Sequence, residues 1–385
     1  MALRMVVVGA GAWGFAAAAE LARRGHEVVL VDRHGPGNAL SSSSGPTRLW
    51  RIADPHRPAV RFGRHAVAAL ERVAERVGTR VHVRTGLLWR DGPRGIDTLR
   101  SGLVAEQVEH LEVAAADVGR HFPGLRPDGR DALWLPDGGP LLAEELLAAY
   151  ARLFRAGHGE LVVGRTVVGL DPSSAPVGVE LDDGTVLRAD AVVACPGPGA
   201  GELLAQLGLD VPLQPFLEQV VHLGTPAEPH RYDDLPCLFD APTESDPGIY
   251  TMPTPGVGYK IGLDDPLRAL SAPDQDRTPD PTITARIVER ARRDLTTLDP
   301  QVVDELVCCW TDSPDGWFVV ERVGQVVIAC GDSGKGFKYS AAMGETLADL
   351  AEGRAPSEDV SAMSATRFAG TSRPLDWVPT RLEGA

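Results

Sequence analysis

Leu3 to Asp32 reads LRMVVVGAGAWGFAAAAELARRGHEVVLVD. The apolar run Leu3 to Val8 is a strand and Gly9 to Gly14 a glycine turn; Phe15 to Arg24 is an alanine-rich helix closed by Gly25, and Glu27 to Asp32 a second strand. An acid ends that strand, 21 residues after Gly11. Strand, GxGxxG, helix, strand and terminal acid together form the fingerprint of a dinucleotide site. Gly9 permits the tight turn, Gly11 lets the backbone approach a pyrophosphate, and Gly14 lets helix pack closely on strand. The helix N-terminus faces the phosphates, and Asp32 is placed to accept from a ribose hydroxyl.

The chain has 385 residues, 43% hydrophobic and 24% charged, which excludes disordered and collagen-like classes and suggests two or three domains. A net charge of −15 argues against nucleic acid or an anionic membrane as partner. No apolar run reaches the ~18 residues of a membrane helix. The five cysteines are odd in number and two are adjacent, so no disulfide framework is expected, and no His/Cys spacing suggests a metal. The start runs straight into a strand without a signal-peptide core, so a cytoplasmic protein is expected. No obligate protein partner is evident. Three of the 38 basic residues are lysines, Lys260, Lys335 and Lys338, in a chain that otherwise uses arginine. A lysine kept against that bias suits work arginine cannot do, as a compact charge whose pKa can fall on burial.

The serine-rich loop Gly35 to Thr47 reads either as a cofactor loop or as a surface loop. TRLWR, Thr47 to Arg51, puts Arg48 and Arg51 one helical turn apart. Helices are expected over Val60 to Val77, Leu141 to Arg155, Ile283 to Leu295 and Ala341 to Ala351. Strands are expected over Val81 to Asp91, in Leu161 to Cys195 with a turn at Asp182-Asp183-Gly184, and at Phe216 to Leu223, Val257 to Gly262 and Glu305 to Thr311. A hairpin, Trp317 to Val320 with Gln325 to Ala329, leads into CGDSGKGFKYS, Cys330 to Ser340. Leu235 to Pro255 reads as loop, and the last thirty or so residues as an extended tail. A cofactor domain that opens the chain and takes another strand–glycine–helix from its end is discontinuous. Residues 1–81, 142–213 and 306–385 are assigned to it. Residues 82–141 and 214–305 are assigned to a mostly antiparallel substrate domain. The fold class is α/β in two domains, the first Rossmann-like.

VVVGAGAWG with VVLVD, TRLWR, VVACPG, GYKIG, CCWT and CGDSGKGFK occur in an order that resembles the FAD-dependent amino acid oxidases of the D-amino-acid-oxidase superfamily, most closely monomeric sarcosine oxidase. The resemblance covers nearly the whole chain. It implies FAD held by Gly9, Gly11, Gly14, Asp32, Arg33, Ser43, Thr47, Gly331, Gly334, Gly336, Phe337 and Lys338. It implies a thioether from Cys308 to the flavin, where the family has Cys-x-Tyr-Thr and this chain has Trp310 at the tyrosine. Lys260 would activate dioxygen, and Arg48 would shape the oxygen pocket. Arg51 and Lys338 would bind the substrate carboxylate, and Tyr250 would line the substrate pocket. Two further positions depart from the family, which has a histidine at each: Asp264, read as pairing with the substrate ammonium, as resetting the Lys260 pKa or as a solvated turn, and Lys335, read as either charging the site or facing solvent. The implied reaction is oxidation of a small N-methylated or cyclic amino acid by hydride transfer to flavin N5, with dioxygen reduced to hydrogen peroxide.

Overall fold

The computed structural model describes residues 2–271 and 274–370. Arg4–Val8 is an inner strand of a six-stranded sheet. The order is Val319–Val323, Val326–Cys330, Ala191–Ala194, Arg4–Val8, Glu27–Asp32, Glu160–Val163. All neighbours are parallel except the hairpin at the first edge. Inner strands of such a sheet are covered on both faces, which is why they read as unbroken apolar runs. Met5, Val7, Leu30 and Val193 face the core beneath the helices Ala12–Arg23, Arg57–Val77, Ala143–Ala156 and Ser340–Ala351. Val6, Val8, Val29 and Val31 face a second core, closed by the three-stranded meander Val167–Asp171, Val177–Leu181 and Val186–Ala189. The Asp182-Asp183-Gly184 turn joins the last two of these, with Gly184 at φ +83°.

The other sheet has nine strands. Its path runs Arg268–Ala269, Gln214–Leu223, Gly258–Leu263, Ile249–Thr254, Cys237–Asp240, Leu87–Arg90, Ala132–Leu135, Leu111–Val113. Val302–Asp312 also pairs along Gln214–Leu223. Only Cys237–Asp240 with Leu87–Arg90 is parallel. A two-stranded ribbon, Thr47–Trp50 with Gly139–Leu142, lies apart from both sheets.

Several expectations are corrected. The boundary between residues 305 and 306 cuts the strand Val302–Asp312, so 306–312 lies in the nine-stranded sheet. Thr47–Trp50 is a strand, so Arg48 and Arg51 do not sit on one helical turn. The stretch read as loop contains two strands, Cys237–Asp240 and Ile249–Thr254, whose signals are short and interrupted by prolines. The tail contains a helical turn at Glu358–Ser361 and another at Ala365–Phe368, where Phe368 is buried; residues 371–385 lie outside the described residues. No helix among the described residues is long and apolar enough to cross a membrane. None of their His, Cys, Asp and Glu residues form a group suited to a metal ion.

Candidate active site

A cavity of about 1440 Å³ runs from the first glycine turn to the face of the nine-stranded sheet. Its volume exceeds the ~300–1,000 Å³ usual for a single small ligand. One end is built from backbone. Gly9 has φ +93°, and a Cβ there would stand 2.3 Å from the Cys195 carbonyl oxygen. A Cβ on Gly14 would stand 1.9 Å from the Gly9 oxygen. Gly11 differs: its nearest neighbour would be Ser43 Oγ at 3.4 Å, an ordinary contact. The protein's own packing therefore does not require glycine at position 11, which leaves room for a ligand against the helix N-terminus. Ser43 Oγ accepts from the Ala12 N–H at 2.9 Å. Asp32 accepts from the N–H groups of Ala10, His34 and Gly35, which fixes its carboxylate at the cavity wall. Arg33 lines the wall and donates to Thr166.

The far glycine loop closes the same end. Trp13 Nε1 donates to the Gly336 oxygen at 2.8 Å, tying the first helix to the last motif. A Cβ on Gly336 would meet the Trp13 ring at 2.7 Å. Gly331 and Gly334 take φ +66° and +64°. Phe337 and Lys338 follow on a short helical turn, and all five residues line the cavity. Size, glycine cradle and helix N-terminus fit a flavin dinucleotide.

Arg48 donates to the carbonyl oxygens of Ser42, Ser44 and Thr47, so it clamps the serine loop, with its guanidinium 5.4 Å from the Phe337 ring centre. The loop is thus part of the site rather than free surface. Thr47 is a correction: it does not line the cavity. Its hydroxyl bonds Thr254 Oγ1 at 2.8 Å, and its carbonyl accepts from Lys260 Nζ. Thr47 therefore holds Lys260.

Lys260 is 3% exposed, on the strand Gly258–Leu263. Burial and the nearby Arg48 charge bring its pKa down to about 7, against the opposing pull of Cys308 and Glu218. His222 stands opposite it in the ladder. Burial and the Lys260 charge lower that imidazole to about 3, so it is neutral at pH 7. Cys308 and Cys309 point to opposite faces, as strand alternation requires. Cys308 Sγ donates to the Glu218 backbone carbonyl oxygen at 3.7 Å, and burial with the Glu218 carboxylate charge lifts its thiol to about 11. Cys309 Sγ lies 3.3 Å from both Leu40 O and Ser42 Oγ on the serine loop.

Arg51, Lys335 and Lys338 surround a buried acid, Asp54. Arg51 Nη1 and Lys335 Nζ each lie 3.4 Å from its Oδ2. Burial pushes the Asp54 carboxyl up, but Lys335, Arg51 and Lys338 outweigh it and hold it well below the usual carboxylate range. Lys335 thus turns inward, over the Trp317 ring at 5.3 Å, and not to solvent. The Arg51 guanidinium lies 4.8 Å over Trp89 and 5.2 Å over Phe239, rings in tilted contact on paired strands. Tyr250 lines the cavity and donates to Glu218 Oε1. Asp264 follows the strand Gly258–Leu263 in a bend, is buried and lines the cavity, so the reading of a solvated acid fails.

Residues 4–350 match the family described as FAD dependent oxidoreductase. The chain belongs to that family. It is 28% identical over 394 residues to monomeric sarcosine oxidase of Bacillus sp. (strain B-0618), covering 95% of this chain and 96% of that one. It is 26% identical to N-methyl-L-tryptophan oxidase of Citrobacter koseri, over 94% and 98% of the two chains. Among solved structures, NikD, titled an unusual amino acid oxidase essential for nikkomycin biosynthesis, superposes with TM-score 0.81 at 27% identity, over 94% of this chain and 97% of NikD. This protein is an FAD-dependent oxidoreductase with the two-domain fold of that group.

Sequence reasoning missed Asp54, Glu218, Trp89 and Phe239. The one signal for Glu218 was an acid in the middle of a strand with no other charged carboxylate, QPFLEQVVHL. Asp54 follows Arg51 by three residues, but nothing local says that it is buried.

Proposed function

We propose that this enzyme oxidises a small amino acid bearing a secondary amine, N-methylated or cyclic, and reduces dioxygen to hydrogen peroxide. The observation that carries the reading is the meeting, in one cavity, of a cationic carboxylate clamp with a buried lysine of lowered pKa. The likeness to sarcosine and N-methyl-L-tryptophan oxidases supports it.

Arg51 grips the substrate carboxylate with its planar fork, and Lys338 adds a point charge. Trp89 and Phe239 fix the plane of that fork from below. When bound, FAD would supply the two-electron redox chemistry between the carbon next to nitrogen and dioxygen. Lys260, held by the Thr47 carbonyl, supplies the positive charge that favours the negative charge developing on oxygen. Cys308 is proposed as the attachment point of the flavin. The five free thiols fit a reducing compartment, and a cytoplasmic location is proposed.

The test is a peroxide-coupled screen of primary and secondary amino acids, with acid precipitation of the holoprotein to see whether colour stays with the chain. Peroxide from secondary amino acids alone is expected, with colour retained. No peroxide, but reduction of an added electron carrier, would make it a dehydrogenase. Asp264, buried where the sarcosine oxidase pattern has histidine, favours one second reading, a cyclic imino acid desaturase. Its mark would be a conjugated ring product instead of a hydrolysable imine.

A further inference from the structure

The paired strands Leu87–Arg90 and Cys237–Asp240 read LLWR and CLFD. Leu87, Trp89, Cys237 and Phe239 pack in one core, and Leu88 and Leu238 in the other. Both faces are therefore apolar, and the hydrophobic pattern alone specifies their register weakly, because a one-residue slip exchanges one apolar face for another. The pair is also parallel, the weaker kind of pairing. What distinguishes one register from the next is the last rung, Arg90 with Asp240.

That rung is fully ionic and buried, with Arg90 2% and Asp240 0% exposed. Arg90 Nε and Nη2 donate to the two Asp240 oxygens at 2.9 and 2.8 Å, fork to fork. Arg130 Nη2 donates to Oδ1 at 2.6 Å. Arg290 Nη2 donates to Oδ2 at 2.9 Å, from the helix Pro281–Asp294, whose Ile287 and Ala291 pack with Leu88 and Leu238 behind the sheet. Arg130 and Arg290 have acids of their own, Asp128 and Asp294. Such a cluster is a poor source of stability, since desolvation takes back what attraction gives; its best-attested use is to fix a register.

The register matters at the cavity. Trp89 and Phe239 form the adjacent rung, which alternation turns to the opposite face. Their ring centres are 4.2 Å apart, and the Arg51 guanidinium lies over both. A slip of one residue would turn Trp89 into the core behind the sheet and bring Arg90 to the cavity face. We propose that Asp240 is a positioning residue for carboxylate binding: its fork with Arg90 fixes the register that sets Trp89 beside Phe239 under Arg51. The proposal deepens the proposed function and rests on its placement of the substrate carboxylate at Arg51. Asp240 does not line the cavity, so it acts through the aromatic pair.

The test uses holoenzyme and trimethylglycine, a carboxylate whose quaternary nitrogen has no lone pair to support hydride loss. Binding is read from perturbation of the flavin spectrum. Asp240→Asn is expected to weaken it at least ~tenfold with flavin content unchanged, the factor that stacking of a desolvated guanidinium supplies. Asp240→Glu keeps the carboxylate and should retain part of the affinity. Because Asp240→Asn strips a buried charge from three arginines and threatens folding, a second variant, Arg90→Met with Asp240→Leu, replaces the fork by apolar groups, a change that is often neutral for stability. Its melting temperature should stay near that of wild type while its affinity falls as in Asp240→Asn. Trp89→Leu with Phe239→Leu removes the aromatic pair, and adding the Arg90→Met and Asp240→Leu changes to it should cost less than about twofold more. Wild-type affinity in the folded apolar variant, or a full further loss on top of the missing aromatic pair, overturns the proposal. Failure of every secondary amino acid to yield peroxide would instead overturn the proposed function, and ligand binding, which needs no turnover, would still decide the role of Asp240.

Discussion

The two ends of the cavity are built from different materials. The dinucleotide end is backbone: a glycine turn, a helix N-terminus and a second glycine loop, each contained in one short segment. The substrate end is side chains: Arg51, Asp54, Trp89, Glu218, Tyr250, Lys260 and Lys338 come from six separate stretches of chain. At the first end, what matters is where a Cβ would fall. At the second, it is which charges are left facing each other away from water. Substitutions should therefore fail by shape at one end and by charge at the other.

The largest effect is expected at Gly14. Gly14→Ala puts a Cβ 1.9 Å from the Gly9 oxygen, which no side-chain adjustment relieves, and the purified protein should retain no flavin colour. Gly11→Ala sharpens the contrast, since its Cβ meets only Ser43 Oγ at 3.4 Å. The apoprotein should keep its stability within about 0.5 kcal/mol. FAD affinity should fall by about 1–3 kcal/mol, measured by titration, because the ligand and not the fold occupies that space.

Asp54→Asn is next. It leaves Arg51, Lys335 and Lys338 without their buried counter-charge, and about 3 kcal/mol of stability should be lost at pH 7 in denaturant unfolding. The Asp54 carboxyl has a lowered pKa in the fold, so its contribution is complete above the unfolded value near 4 and is lost as pH falls below it. The stability gap between wild type and Asp54→Asn should narrow in acid. A constant gap would mean that packing, not charge, sets the substrate end.

Lys260→Met should slow flavin reoxidation by about 10²–10³-fold in stopped flow while flavin reduction changes little. In the wild type, reoxidation should slow as pH rises through about 7, where Lys260 loses its proton. Equal slowing of both half-reactions would remove Lys260 from the oxygen step. The smallest effect is expected for Gly262→Ala, which pushes the Tyr250 ring off the sheet. KM for the amino acid should rise about tenfold with flavin content unchanged, since a lost hydrogen bond to a charged group is worth about 1.5–3 kcal/mol at most.

The sequence by itself determined the elements whose cause is local. The GxGxxG turn, the apolar strands beside it, the amphipathic helix Arg57–Val77 and the second glycine loop follow from neighbours along the chain, because φ, close backbone approach and helical periodicity are properties of contiguous residues. The three lysines marked the site because a compositional bias made them stand out. Only the tertiary structure decided the strands Cys237–Asp240 and Ile249–Thr254, the turning of Thr47 toward Lys260, and the burial of Asp54, Glu218 and Asp264. An acid reads the same in sequence whether water or a sheet covers it. Its burial is set by which strands lie side by side, and Val302–Asp312, Gln214–Leu223 and Gly258–Leu263 become neighbours only through pairing between segments distant in the chain.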